Sequence, residues 1–82
     1  MATVVLQPAF ARRYTAGVTR LEVTALTYQA LVDELDERYP GFADAVNIPI
    51  AIAIDGEIHN EPLLQTIEPS SEVFFLPPLE GG

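Results

Sequence analysis

Alternating apolar and polar positions predict two strands in the first part of the chain. Residues 3–10 are rich in β-branched and apolar types, and we expect them to form a strand in which Pro8 marks an edge position or a bulge. Residues 19–25 alternate between apolar and polar side chains, which is typical of a strand with one solvated face. A turn at Ala16-Gly17 joins the two predicted strands into a hairpin.

The following segment has the period of a helix instead. Apolar side chains recur at the spacing of a single helical face across residues 28–39, while the acidic residues lie mostly off that face. We expect Thr27 to cap the N-terminus of this helix and Leu26 to contact Leu31 across the cap. Pro40-Gly41 predicts the end of the helix.

Three further strands are predicted after the helix. Residues 50–54 are an apolar run that leads into Asp55-Gly56, a strong signal for a two-residue turn, and residues 57–60 form the returning strand. Residues 61–71 contain two prolines and two serines and predict a loop, with a helical turn around Leu63 to Thr66. Residues 72–76 are the last predicted strand.

The predicted order of elements is therefore β-β-α-β-β-β. A hairpin, one main helix packed on a mixed sheet and further strands make a two-layer α+β domain, and the β-grasp (ubiquitin-like) fold has this order and size. We assign residues 1–78 to this domain and residues 79–82 to a flexible C-terminal tail.

Composition narrows the classes of function. The chain has 82 residues, a formal net charge of −8, one histidine, and neither cysteine nor lysine. These counts predict one domain without disulfides, a thiolate metal site or a cysteine nucleophile, and no metal site is expected. The negative charge argues against nucleic acids and anionic membranes and favours a basic protein partner. No apolar run is long enough to span a bilayer, and the N-terminus lacks a secretory pattern, so we expect a cytoplasmic protein.

Few side chains suggest acid–base chemistry. His59 follows the Asp55-Gly56 turn and is expected to be a surface residue, as are Arg12 and Arg13. The acidic residues of the helix are interpreted as a solvated face, with electrostatic steering toward a basic partner as the alternative. The pair Asp33/Glu37 has no predicted pocket that would tune it for catalysis.

The C-terminal segment carries the most specific signal. Pro77 and Pro78 end the last strand and favour an extended backbone beyond it. Gly81 and Gly82 lack side chains, so this segment can enter a narrow channel of an enzyme. A terminal carboxylate is ionised at neutral pH and is a poor electrophile, so it would have to be activated, for example as an acyl-adenylate made from ATP.

With its Phe-Phe-Leu-Pro-Pro-Leu-Glu-Gly-Gly end, the chain resembles the ubiquitin-like sulfur carriers of the MoaD/ThiS type. The similarity is highest to the small subunit of molybdopterin synthase, and weaker similarities lie at residues 13–17, 37–41 and 55–56. The resemblance implies that the chain is a carrier rather than an enzyme and binds no cofactor. An E1-like enzyme would use ATP to adenylate Gly82, which then becomes a thiocarboxylate.

The resemblance also implies how the tail meets its acceptor. The carrier would insert its end into the active site of the molybdopterin synthase large subunit and donate sulfur for molybdenum cofactor biosynthesis. The inserted residues would be Pro77, Pro78, Leu79, Glu80 and Gly81, ahead of the reacting Gly82. Glu80 departs from the small residue that these carriers usually have there. Residues 13–17 also resemble carriers that serve thiamine or cysteine biosynthesis. A ubiquitin-like protein modifier and a plain interaction domain are the remaining alternatives.

The last strand also predicts a docking surface. Phe74 and Leu76 share one face of the strand, and Val73 and Phe75 share the other. We expect the second pair to be buried and the first pair to bind a partner beside the tail. The alternative is that both faces of the strand are partly covered.

Overall fold

The structure is a computed structural model that describes residues 1–46, 51–59 and 65–76. In this part of the chain five strands form one mixed sheet: β1 (Ala2–Val5), β2 (Arg20–Val23), β3 (Ala51–Ile54), β4 (Glu57–His59) and β5 (Glu72–Leu76). The helices are α1 (Pro8–Tyr14), α2 (Tyr28–Arg38) and α3 (Phe42–Ala45). None of these described helices is long and apolar enough to cross a membrane.

The sheet has the strand order β2-β1-β5-β3-β4. The central strand β5 pairs in parallel with β1 and antiparallel with β3, while β1–β2 and β3–β4 are antiparallel pairs. One sheet face packs against α2, α3 and part of α1 around a single core. The largest fully buried side chains of this core include Phe42, Phe75, Leu31, Leu35, Ile52, Ile67, Val4, Val23 and Val73. This is the predicted α+β arrangement, a β-grasp fold.

The prediction of a strand over residues 3–10 was wrong beyond Val5. Pro8 begins the helix α1 instead, because its fixed φ and missing N–H suit the first position of a helix as well as an edge strand. Thr15 ends α1: it is fully buried, and its hydroxyl donates to the carbonyl of Ala11 or Val18, 3.2 and 2.7 Å away. The strands β1 and β2 are still antiparallel neighbours, but a helix and a turn connect them in place of a simple hairpin turn.

The main helix begins as predicted. The Thr27 side chain accepts a hydrogen bond from the Ala30 N–H at 3.2 Å, which satisfies one of the free donors of the first turn. Leu26 is 56% exposed, so a contact across the cap would bury little of its side chain. Its backbone is used instead: the Leu26 carbonyl accepts from Ile67 N–H, beside an isolated bridge between Thr27 and Thr66.

Two features after the helix complete the fold. Gly41, at a φ of 100°, allows the chain to turn directly into the short helix α3, which the sequence did not predict. The turn at Asp55-Gly56 is confirmed, with φ values of 51° and 84° that match the two-residue hairpin type. The described part of the returning strand ends at His59, and Asn60 lies outside the described residues. Residues 63–64 of the predicted helical turn also lie outside them, while Thr66 forms the bridge to Thr27 rather than part of a helical turn.

Candidate functional site: the outer sheet face beside the C-terminal segment

The central strand β5 presents different side chains to its two faces. Val73 and Phe75 are 0% and 1% exposed and belong to the core, as predicted. Phe74 is 36% exposed on the opposite, outer face, and Leu76 on that face is half-buried. The strand therefore has one structural face and one face that is available to a partner.

Strand pairing extends the outer face of β5 into an apolar row across the sheet. Phe74 lies opposite Val5 on β1 and opposite Ala53 on β3, and Ala53 lies opposite Ile58 on β4. Residues that lie opposite each other in a sheet share a face, so these four side chains form one row, which we call the outer row. Ile58 is 62% exposed at the edge of the sheet. Such a continuous apolar surface is typical of a protein-binding site.

Leu76 adds a second contact to this surface. It lies opposite Ala51, one step along the strands from the outer row. The residues of β3 that lie opposite Phe74 and Leu76 are both alanines, so the neighbouring side chains on that strand are small. The sequence had indicated Phe74 and Leu76 but had not identified Val5, Ala53 or Ile58. The alternating pattern of Ala and Ile in residues 50–54 was the available signal for the alanines.

Charged side chains border the outer row at the β2 side of the sheet. Arg20 lies opposite Val5 and forms an ion pair with Glu72, with 3.5 Å between Arg20 Nη2 and Glu72 Oε2. Both side chains are at least half exposed, so this pair contributes little to stability in the free protein. The pair places one positive and one negative charge at the edge of the apolar surface. Complementary charges on a partner would favour binding in one orientation.

A hydrogen-bonded turn holds the start of β5 in place. Asp55 Oδ1 accepts from the Glu72 N–H at 2.9 Å, and Asp55 Oδ2 accepts from the Ser71 hydroxyl at 2.7 Å. The hydrogen bond from Glu72 and then the one from Ser71 lower the pKa of the Asp55 carboxyl, because they stabilise its ionised form. The turn thus fixes β5 from one end, and the described part of the strand ends at Leu76.

The predicted reacting segment follows directly. Pro77, Pro78, Leu79, Glu80, Gly81 and Gly82 lie outside the described residues, so their assigned roles stay predictions. A segment of six residues reaches at most about 20 Å from Leu76 when fully extended. A partner that contacts the outer row is therefore within reach of Gly82.

Two acidic residues of α2 have structural roles that the sequence did not reveal. Glu34 accepts hydrogen bonds from the N–H groups of Thr24 and Ala25 at 3.0–3.1 Å and pairs with Arg38. Burial opposes ionisation of Glu34, but the hydrogen bonds from Thr24 and the charge of Arg38 outweigh it and lower the pKa of this carboxyl. Asp36 accepts from the N–H groups that begin α3. These contacts join elements distant in sequence, so a solvated face describes only part of the helix.

The other residues considered for chemistry do not come together. His59 is half-buried at the end of β4, 3.7 Å from Glu57, and the exposed Arg12 and Arg13 lie on α1 rather than in a hairpin turn. Asp33 and Glu37 are both exposed. Across residues 1–46, 51–59 and 65–76, no three His, Cys, Asp or Glu side chains are grouped so as to hold a metal ion.

A mixed five-stranded sheet that packs one face against a main helix defines the ubiquitin-like fold class. The sequence profile of the ThiS family matches residues 5–82. The chain therefore belongs to the ThiS family, and we describe it as a ubiquitin-like sulfur carrier. No protein of curated function matches the sequence.

Solved structures support the same fold. A chain in the crystal structure of the Amycolatopsis orientalis BexX/CysO complex is similar at 20% identity, with 100% of each chain covered and a TM-score of 0.87. Mycobacterium tuberculosis CysO, described as an antigen, is similar at 21% identity over 96% of this chain and 100% of that one, with a TM-score of 0.82. The solution structure of small archaeal modifier protein 1 from Methanosarcina acetivorans is 25% identical over 99% of this chain and 95% of that one, with a TM-score of 0.73.

Proposed function

We propose that the chain carries sulfur as a thiocarboxylate on Gly82 and that it docks on its enzymes through the outer row. The observation that carries the proposal is the position of β5. Its exposed Phe74 lies at the centre of an apolar face, and the same strand leads within six residues to Gly82. An enzyme that binds the outer face of β5 would therefore have Gly82 within reach of its active site.

The chemistry requires a partner that activates the carboxylate. A carboxylate oxygen of Gly82 attacks the α-phosphorus of ATP, so an acyl-adenylate forms and pyrophosphate leaves. A hydrosulfide equivalent then attacks the acyl carbon, the bond to AMP breaks, and the thiocarboxylate remains. The E1-like activating enzyme supplies the catalytic groups, since this chain contributes neither cysteine nor lysine. The chain acts as a co-substrate in both steps.

The first acceptor to test is the molybdopterin synthase large subunit. The Pro-Pro-Leu-Glu-Gly-Gly end resembles the small subunit of that enzyme, and in this role the thiocarboxylate would supply sulfur for the molybdenum cofactor. The structural similarity to CysO favours a second acceptor, an enzyme of cysteine biosynthesis, and a thiamine-forming enzyme is the third candidate. Glu80 bears on this choice, because an acceptor channel must accommodate its charge near the reacting carbon.

A protein modifier is the second candidate function. The similarity to a small archaeal modifier protein at 25% identity favours it. In that case the activated Gly82 would accept the ε-amine of a target lysine and form an isopeptide bond. Because the chain has no lysine, it cannot extend side-chain-linked polymers of itself.

Reconstitution with purified enzymes separates these possibilities. The chain is incubated with its activating enzyme, ATP and a sulfide source, and then with each acceptor enzyme. We expect the intact mass to increase by the replacement of one oxygen with sulfur, and to return to its original value only with the true acceptor. A chain that ends at Glu80 is the matched control and should acquire no sulfur. Isopeptide conjugates without a sulfur-containing form would instead support the modifier.

A further inference from the structure

The strand β2 forms one edge of the sheet in the described part of the chain, where its only neighbour in the strand order is β1. The ladder between the two strands shows which backbone groups face this edge. The Leu6 N–H donates to the Thr19 carbonyl at 2.8 Å, and opposing residues of an antiparallel pair alternate between hydrogen-bonded and non-hydrogen-bonded positions. Arg20 lies opposite Val5 at the next position, so the N–H and C=O of Arg20 point away from β1, as do those of Glu22.

The helix α2 covers part of this edge. A free strand edge presents a row of unpaired N–H and C=O groups and is a template for pairing with another chain. Here Arg38 Nη2 donates to the Glu22 carbonyl at 2.6 Å. The two carboxylate oxygens of Glu34 accept from the Thr24 N–H at 3.0 and 3.1 Å. Glu34 and Arg38 also form an ion pair with each other, four residues apart on one face of the helix.

The Glu34–Arg38 pair has the hydrogen-bonding pattern of a neighbouring strand. In a parallel ladder, one residue donates its N–H to the carbonyl of residue i and accepts from the N–H of residue i+2. Glu22 and Thr24 have this spacing; Arg38 supplies the donor and Glu34 supplies the acceptor. A strand that added to β2 in either direction would therefore have to displace Arg38 from the Glu22 carbonyl.

The side chains of β2 fit a second copy of the same strand. Leu21 and Val23 are buried, whereas Arg20 and Glu22 are exposed on the outer face. When two copies of β2 pair antiparallel about Leu21, Arg20 of each copy lies opposite Glu22 of the other, and opposite charges across a ladder stabilise the pairing. The same register brings together the outward-facing N–H and C=O groups of these residues. The edge is therefore complementary to itself in charge and in hydrogen bonding.

We propose that β2 is a dimerisation edge for a second copy of this chain and that the Glu34–Arg38 pair blocks it. With the pair in place, a second copy gains too few hydrogen bonds to offset the loss of translational and rotational freedom. Removal of the Arg38 side chain makes the Glu22 carbonyl available. Arg20 then exchanges its exposed ion pair with Glu72 for one with the other copy at little cost. This block does not depend on the sulfur chemistry of the tail.

Sedimentation equilibrium of the full chain tests the block. It is measured over a wide range of concentrations at physiological salt, which screens the net charge of −8. Arg38→Ala removes the donor and keeps a strong helix former at the last residue of α2. We expect this variant to dimerise at concentrations about tenfold or more below those that the wild-type chain needs, because two symmetric hydrogen bonds are gained.

Arg12→Ala is the matched control. It makes the same change in net charge at an exposed position of α1 and should associate no more than the wild-type chain. Equal association of the two variants, or an Arg38→Ala chain that stays monomeric at every concentration, would overturn the proposal. Arg38→Met keeps the aliphatic part of the side chain and must dimerise as well, so a folding defect in one variant does not decide the test.

Hydrogen exchange locates the interface. In the Arg38→Ala dimer, the amide protons of Arg20 and Glu22 should exchange more slowly than in the wild-type monomer, because they become hydrogen-bonded to the other copy. The amides of β4, at the opposite edge of the described sheet, should be unchanged. A dimer without slower exchange at β2 would mean that another surface associates and would overturn the proposal.

Exchange of charges tests the register. In the Arg38→Ala background, Arg20→Glu places like charges opposite each other and should return the chain to the monomer. The further substitution Glu22→Arg restores opposite charges and should restore the dimer; failure to do so would contradict pairing about Leu21. A chain that ends at Glu80 should dimerise normally in the Arg38→Ala form, so the edge and the sulfur-carrier function can fail independently.

Discussion

Phe74 and Phe75 are adjacent residues on opposite faces of β5. Substituting each of them in turn tests whether one face of the strand stabilises the fold and the other binds a partner. Phe75 is 1% exposed, and its ring lies 6.0 Å from Tyr28 and 5.7 Å from Phe42 between ring centroids. Replacing a buried phenylalanine with alanine costs about 3–5 kcal/mol in unfolding free energy. A domain of this length has a total of about 4–12 kcal/mol. Phe75→Ala should therefore remove between about a quarter and all of the unfolding free energy.

Phe74→Ala should behave in the opposite way. The residue is already 36% exposed and lies outside the core, so we expect the unfolding free energy to fall by only about 1 kcal/mol. At the centre of the outer row it has the position of a binding hot spot, for which a loss of about 2 kcal/mol or more in affinity is typical. This loss corresponds to a decrease of more than tenfold in the affinity for the activating enzyme.

Two measurements separate these effects. Urea unfolding gives the stability of each variant, and the initial rate of ATP-dependent charging at subsaturating carrier concentration reports docking. We expect Phe74→Ala to remain folded and to be charged slowly. Charging of Phe74→Ala at the wild-type rate would refute the assignment of the outer row. Equal destabilisation by the two substitutions would refute the division between the faces of β5.

Further outcomes follow from the same contacts. Glu34→Gln should lower the unfolding free energy by about 1–2 kcal/mol, because the N–H groups of Thr24 and Ala25 lose a charged acceptor. The control Glu37→Gln, on the exposed side of α2, should change the unfolding free energy little. Equal effects of the two substitutions would contradict a structural role for Glu34. Because the pKa of Glu34 is lowered in the folded chain, its stabilisation is complete above the unfolded value of roughly 4.3 and is lost as pH falls through the folded value. Urea unfolding across this range should therefore show a shallower acid dependence in Glu34→Gln, and parallel curves would disprove the linkage. Leu76→Glu should leave the midpoint of unfolding almost unchanged and weaken binding to the activating enzyme, and wild-type affinity would exclude Leu76 from the docking surface.

Local sequence patterns were sufficient for the elements with strong periodicity. The helix α2, its Thr27 cap, the Asp55-Gly56 turn and the two faces of β5 all follow from spacing between near neighbours. The interpretation of Pro8 failed because proline fits both an edge strand and the first turn of a helix. Local preference alone could not choose between them.

Features that depend on distant residues were not accessible from the pattern. The outer row exists because β5 pairs in parallel with β1, which brings Phe74 opposite Val5 from the other end of the chain. Glu34 and Asp36 look like solvated acids in a helical repeat, and only the packing of α2 beside β2 and α3 gives them backbone partners. Pairing register and tertiary contacts of this kind are not encoded in local periodicity.

The central claim is that Gly82 bears the sulfur, and one peptide can test it. No lysine or arginine follows Arg38, so trypsin releases residues 39–82 as a single fragment that contains the entire tail. After incubation with the activating enzyme, ATP and sulfide, we predict that fragmentation of this peptide by mass spectrometry places one sulfur-for-oxygen replacement at Gly82. An unmodified fragment from a fully active enzyme mixture, or sulfur at any other residue, would contradict the carrier function.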